Sequence, residues 1–212
     1  MPRRIFYLYI VMIYTSKQSG TAVILAGGKA RRFGGKQKPL VHLKGLTLLE
    51  HQLQALEKLF DDILLITNHP DSYRSFGGFK THHDIMVDKG PLGGIHSAMH
   101  HAGSSHVFTV AGDMPFLQKT AISKLMQLSQ QHPRHAVIPY AKQGPEPLFA
   151  VYPVAVKEQL EYWLRTKNDL SVKSFLNQIP VHYWQTDVST PFININTPEE
   201  LQYYETFPLQ RD

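Results

Sequence analysis

Leu25-Ala26-Gly27-Gly28-Lys29-Ala30-Arg31-Arg32-Phe33-Gly34-Gly35-Lys36-Gln37-Lys38 follows the apolar run Thr21 to Ile24 without a break. A short apolar run that opens into paired glycines and a cluster of cations reads as a strand end, then a loop that grips phosphate. Gly27 and Gly28 let the backbone approach a ligand with its N–H groups pointing outward. Lys29, Arg31, Arg32, Lys36 and Lys38 supply positive charge, and no acid interrupts them. That combination suits a polyanion such as a nucleoside triphosphate. Two familiar phosphate loops do not fit. A Walker A loop ends in Gly-Lys followed by Ser or Thr and needs a glycine five positions earlier. Here Ala30 stands at that place and Gln37 follows Lys36. A dinucleotide fingerprint needs G-x-G-x-x-G, which Gly27-Gly28-Lys29 does not begin.

The chain has 212 residues, enough for one compact domain with a substantial core. It contains no cysteine, which excludes a disulfide scaffold, a thiolate metal site and a cysteine nucleophile. A reducing, cytoplasmic setting is the expectation. The net charge of +5 suits an anionic substrate as well as nucleic acid, so charge alone does not choose. The first twenty residues differ from the rest. Pro2-Arg3-Arg4 precedes the apolar run Ile5 to Tyr14, which is too short to span a bilayer. No small-x-small cleavage site follows at once. Residues 1–20 therefore read as a leader outside the fold, with Met12 as an alternative initiator, and residues 21–212 as a single domain.

Strand-like and helix-like segments alternate after this leader. Strands are expected at Thr21–Ala26, Asp62–Thr67, Lys80–Asp84 (as a short edge strand), His106–Ala111, Ala136–Pro139, Pro147–Tyr152 and Val181–Trp184. Helices are expected at Leu46–Phe60, Leu92–His101, Lys119–Gln131, Ala155–Arg165, Ser171–Gln178 and Pro198–Tyr204. The near-continuous apolar run Asp62–Thr67 suits a strand covered on both faces. The pattern predicts an α/β fold with a mainly parallel sheet and helices on both sides. Ligands of such sheets sit beyond the carboxyl ends of the strands. Leu25–Lys38, Thr67–His69 and Gly112–Pro115 all follow strand ends, which predicts one shared site.

Asp113, in Ala111-Gly112-Asp113-Met114-Pro115, is placed to hold Mg²⁺ against a triphosphate opposite the cationic loop. The competing role is a turn aspartate that caps the next helix. Asp84 and Asp88 precede the turn Gly90-Pro91-Leu92-Gly93-Gly94, where carboxylates can accept from a base N–H or a ribose hydroxyl. An ordinary turn before a helix is the plainer reading. In Phe192 to Glu199, alternation puts Asn194 and Asn196 on one face of an extended segment. Thr197 then caps the last helix, with Pro198 at its first position.

Taken together, LAGG-x-x-x-R-x-GG-x-x-K, D…GPLGG, GDMP and NINTPEE, in this order, resemble the molybdenum cofactor guanylyltransferases. The resemblance runs from Thr21 to about Tyr204. It implies a three-layer, Rossmann-like nucleotidyltransferase fold, GTP with Mg²⁺ as cofactor, and transfer of GMP to the phosphate of molybdopterin. By position it implies nucleotide binding by Leu25, Ala26 and Gly27, and a phosphate contact from Lys38. It further implies a guanosine contact from Asp84 and nucleotide and Mg²⁺ binding by Asp113. Asn194 and Asn196 match the molybdopterin side, and Asn68 is a weaker match to a nucleotide-contacting asparagine. Arg32 and Lys38 are expected to neutralise the phosphates. Gln37 departs from the aspartate common before the loop lysine, and Phe33 from a common methionine. Cofactor-delivery or acceptor proteins are expected partners; nucleic acid and membrane are not. A cytidylyl- or sugar-phosphate nucleotidyltransferase, or a non-catalytic nucleotide-binding subunit, is the alternative function.

Twelve histidines invite a metal reading. His96 and His100 are four apart, but no glutamate follows His96, so H-E-x-x-H fails and no zinc site is expected. Pro145-Glu146-Pro147 reads equally well as the edge of a groove for the second substrate or as plain exposed loop.

Overall fold

A computed structural model of the chain describes residues 17–27, 33 and 37–206. Residues 1–16 of the expected leader, Met12 among them, lie outside the described residues. So do Arg32, the cations Lys29, Arg31 and Lys36, and residues 207–212 of the expected domain. The described end of the leader is tied to the domain. Gln18 N donates to Leu59 O at 2.6 Å, and Lys17 Nζ donates to Phe60 O at 2.8 Å.

Eight strands form the main sheet: β1 (Thr21–Leu25), β4 (Asp62–Ile66), β5 (Lys80–His82), β6 (His106–Ala111), β7 (Ala136–Ala141), β8 (Gly144–Pro145), β9 (Ala150–Pro153) and β10 (Val181–Gln185). Their order is β10-β7-β9-β6-β1-β4-β5, with β8 on β7. β1 pairs parallel with β4 and β6, β4 with β5, and β10 with β7. β9 runs antiparallel between β6 and β7, and β8 is antiparallel to β7. β5 is the edge strand, as expected from the sequence. The antiparallel β9 is what the strand–helix alternation did not foretell. A separate ribbon joins β2 (His42–Leu43) to β3 (Leu46–Thr47), where the sequence reading began a helix. That helix, α1 (Leu48–Leu56), starts two residues later because Thr47 caps it. Thr47 Oγ1 accepts from Glu50 N at 3.1 Å, and Glu50 Oε2 accepts from Thr47 N at 2.7 Å.

Helices α2 (Gly90–His101), α3 (Lys119–Gln131), α4 (Lys157–Thr166), α5 (Val172–Leu176) and α6 (Pro198–Thr206) follow. Strand alternation divides the core in two. Ala22, Ile24, Leu65, Phe108 and Val110 pack with Leu53 and Leu56 of α1 and Ile122 and Leu125 of α3. Val23, Leu64, Ile66 and Val107 pack with Ile95 and Met99 of α2, Leu160 and Leu164 of α4, and Phe175 of α5. Helices thus cover both faces of the sheet in three layers. A smaller cluster of Val41, Leu43, Leu48 and Ile195, joined by Phe33 and by Leu201 of α6, seats the ribbon and the last helix against the rim. Among the described residues, no helix is long and apolar enough to cross a membrane.

Candidate active site

β1 lies at the point where the chain order reverses. From β1 the chain builds outward to β4 and β5, then returns through α2 to β6 on the other side. Such a switch opens a crevice between the carboxyl ends of the two central strands. Here it is a cleft lined by Leu25, Ala26, Gly27, Gln37, Lys38, Pro39, Gly112 and Asp113. Gly112 N donates to Leu25 O at 3.0 Å, which locks the two strand ends together. A Cβ on Gly112 would stand 2.6 Å from Pro39 Cγ and 3.3 Å from Leu25 O. Only a residue without a side chain fits there, which accounts for the glycine of the GDMP turn.

Lys38 opens the short 3-10 turn Lys38–Leu40. Its Nζ donates to Asp113 Oδ2 at 2.9 Å and to Asn196 Oδ1 at 2.8 Å. Residues 75 and 158 positions apart therefore converge on one amine. The lysine and aspartate side chains are 27% and 18% exposed, so the pair is half-buried at the cleft edge. A partly buried ion pair is weak evidence of stabilisation, because desolvation offsets its attraction. Asp113 is held from behind as well. Ile195 N donates to Asp113 O at 2.9 Å, and Gln52 Nε2 donates to Ala111 O at 2.7 Å and Met114 O at 3.0 Å.

The other sequence-predicted residues separate into two groups. Asn68, after β4, and Asp84, after β5, bond reciprocally. Asn68 Nδ2 donates to Asp84 Oδ2 at 2.8 Å, and Asp84 N donates to Asn68 Oδ1 at 3.3 Å. Burial pushes the Asp84 carboxyl above its ordinary pKa, against the opposing effects of Asn68 and His83. This pair adjoins the cleft through Gly94, whose added Cβ would lie 3.0 Å from Leu25 Cδ2 and 3.7 Å from Asp84 Oδ1. Asn194 does not join Lys38. Its Nδ2 donates to Phe192 O at 3.3 Å, back into its own segment. The two asparagines read together in the sequence thus have different partners. Thr197 Oγ1 accepts from Glu200 N at 3.2 Å, the cap expected for the last helix. Glu200 Oε2 also accepts from Asn196 N at 2.6 Å, which fixes the backbone that carries Asn196.

The sequence reading passed over Gln52. The signal was present: a polar residue inside the apolar stripe Leu48, Leu49, Leu53, Leu56, and Gln52 is fully buried with them. A second opening lies on the same rim at the ends of β7 and β10, lined by residues that include Tyr140, Lys142, Gln185 and Asp187. Nearby, Glu146 is half-buried with its carboxyl pKa raised by burial.

A mainly parallel α/β sheet with helices on both faces and a cleft at its switch point is a fold shared with the nucleotidyltransferases. The family model of the MobA-like NTP transferase domain matches residues 22–182. The chain belongs to this family, that of the molybdenum cofactor guanylyltransferases. It is 35% identical over 190 residues to the molybdenum cofactor guanylyltransferase of Syntrophotalea carbinolica, covering 86% of this chain and 89% of that one. The crystal structure of molybdopterin-guanine dinucleotide biosynthesis protein A from Archaeoglobus fulgidus superposes with a TM-score of 0.76 at 25% identity, covering 87% and 96% of the two chains. The 2-C-methyl-D-erythritol 4-phosphate cytidylyltransferase of Thermus thermophilus shares the fold alone, with a TM-score of 0.66 at 16% identity over 90% and 98% of the chains.

Proposed function

We propose that this protein transfers GMP from GTP to the terminal phosphate of molybdopterin, forming molybdopterin guanine dinucleotide and pyrophosphate. The observation that carries the mechanism is Lys38 Nζ held between Asp113 and Asn196 at the switch point. The attacking phosphate is anionic at neutral pH, so the reaction needs no strong base. Catalysis is then positioning plus neutralisation of charge. Lys38 swings its three donors from Asp113 and Asn196 to the phosphates as the nucleotide enters. The backbone of Leu25, Ala26 and Gly27 borders the phosphates, and Arg32 adds charge from the same loop.

Asp113 suits a hard divalent cation. A carboxylate released by its lysine, beside phosphate oxygens, is the donor set Mg²⁺ prefers. When bound, Mg²⁺ supplies charge neutralisation on the phosphate oxygens, and Asp113 is the residue that would hold it. Asp84, oriented by Asn68, accepts from the N1–H and N2–H₂ edge of guanine, an edge that cytosine lacks. Asn196 orients the reacting phosphates from the acceptor side, and Asn194 supports the segment beside it. The opening beside Tyr140 and Gln185 takes the pterin end of the acceptor. The test is pyrophosphate release with molybdopterin, Mg²⁺ and either GTP or CTP. Release with GTP is the expected result; release with CTP alone overturns the reading.

A further inference from the structure

His96 sits in the middle of α2 and is only 1% exposed. Neither of its ring nitrogens has a hydrogen-bond partner. Burying an imidazole with both nitrogens idle costs its hydration without a replacement. His100 lies one turn further along the same helix face, with its ring centroid 5.1 Å from that of His96. Glu161 reaches in from α4, and its Oε2 stands 3.5 Å from His96 Nε2, longer than a good N–H···O bond. One ligand atom from each of the three residues can be chosen so that all lie within 4.8 Å of one another. Arg165 orients the glutamate, donating to Oε1 from Nε at 3.0 Å and from Nη2 at 2.7 Å. Oε2 is thereby left facing the histidine.

We propose that His96, His100 and Glu161 form a site for a divalent transition-metal ion that clips α2 to α4. Two imidazoles and a carboxylate suit Zn²⁺, Ni²⁺ or Cu²⁺, whereas Mg²⁺ prefers oxygen ligands alone. Tetrahedral ligands about 2.1 Å from a zinc ion stand about 3.4 Å apart, close to the 3.5 Å between His96 and Glu161. His100 is exposed, so the ion has a path in and a water has room to complete the shell. The site is separate from the nucleotide cleft. Gly94 faces Leu25 and Asp84, whereas His96, two residues on and so on another side of the helix, faces Glu161 of α4. The H-E-x-x-H pattern does not find it because that pattern demands a glutamate directly after the first histidine, which serves as a general base and not as a metal ligand, and Ser97 stands there. An ordered Glu161 held by an arginine is the outer support that metal ligands commonly have.

The test is titration of the metal-free full-length protein with Zn²⁺ by calorimetry in excess Mg²⁺, with Co²⁺ followed by visible absorption. One equivalent of Zn²⁺ binds, Co²⁺ gives the intense bands of a tetrahedral site, and Zn²⁺ raises the melting temperature. His100→Asn and Glu161→Gln each weaken binding by about 100-fold or more, beyond the effect of outer-shell changes. His182→Asn, in the separate stack of His132 on His182, leaves the binding unaltered. Absence of stoichiometric binding overturns the proposal. So does full affinity in both ligand variants, or an equal loss on His182→Asn.

Discussion

The cleft between β1 and β6 is narrow, about 50 Å³, whereas the shallower opening over the ends of β7 and β10 is wide, about 870 Å³. In the cleft Lys38 is already held by Asp113 at 2.9 Å and by Asn196 at 2.8 Å, and Asp113 is braced from behind by Gln52 and Ile195. At the opening, Tyr140 is 41% exposed and packs edge to face on the neighbouring Tyr183, with centroids 5.8 Å apart. The contrast follows from what each end has to do in the proposed reaction. Charge stabilisation works over short distances and only when the groups are held in advance. Recognition of a large acceptor works through area and tolerates looser walls. Substitutions in the cleft should therefore affect turnover, and those in the opening should affect apparent affinity.

The largest effect is expected from Asp113→Asn or Lys38→Ala. Either should lower the rate of pyrophosphate release by about 10²-fold or more. Near-native turnover in both would remove the distinction between the two regions. Gly112→Ala comes next. Its new methyl meets Pro39 and the Leu25 carbonyl, so overpacking should cost about 1–3 kcal/mol in a denaturant titration. An unchanged midpoint would mean that the cleft is less rigid than the Leu25–Gly112 bond implies.

Asp84→Asn sharpens the comparison by separating stability from function. Burial raises the folded pKa of Asp84, so the native state binds its proton more tightly than the unfolded chain does. That favours folding at low pH and is lost as pH rises through the raised pKa. At neutral pH the charged form is then a burden, and the neutral variant should melt at a higher temperature while its melting shift with GTP diminishes. A lower melting temperature with an intact GTP shift would reject both the burial penalty and the guanine contact. The smallest effect belongs to Tyr140→Ala. Its KM for molybdopterin should rise a few-fold while the GTP shift and kcat hold, the signature of lost uniform binding. A fall in kcat at unchanged KM would bring Tyr140 into the reacting centre.

The strand-to-loop passage at Leu25, the apolar run at β4 and the turn Gly112–Asp113 were legible because each is a local pattern: periodicity, glycine placement, an acid after a buried strand. The expected convergence at the carboxyl rim was legible for the same reason, since parallel α/β order dictates which strand ends meet. Other features were not. β9 reads as any apolar strand, and its direction depends on the turn at residues 142–143, which reverses the chain after β7, and on pairing with two neighbours at once. Asn194 and Asn196 look equivalent two residues apart, yet only one reaches Lys38. Gln52 and the His96–His100–Glu161 cluster acquire their meaning from residues far along the chain.

Local stretches of this chain carry enough information for its layers, the end of β1 at Leu25 and its acidic turn, because hydrophobic period and backbone sterics act over a few residues. Packing alone assigns partners to Lys38, Asp84 and Asn196. A side chain's hydrogen bonds depend on distances across elements, and those distances arise only when the sheet has twisted and the helices have docked on it.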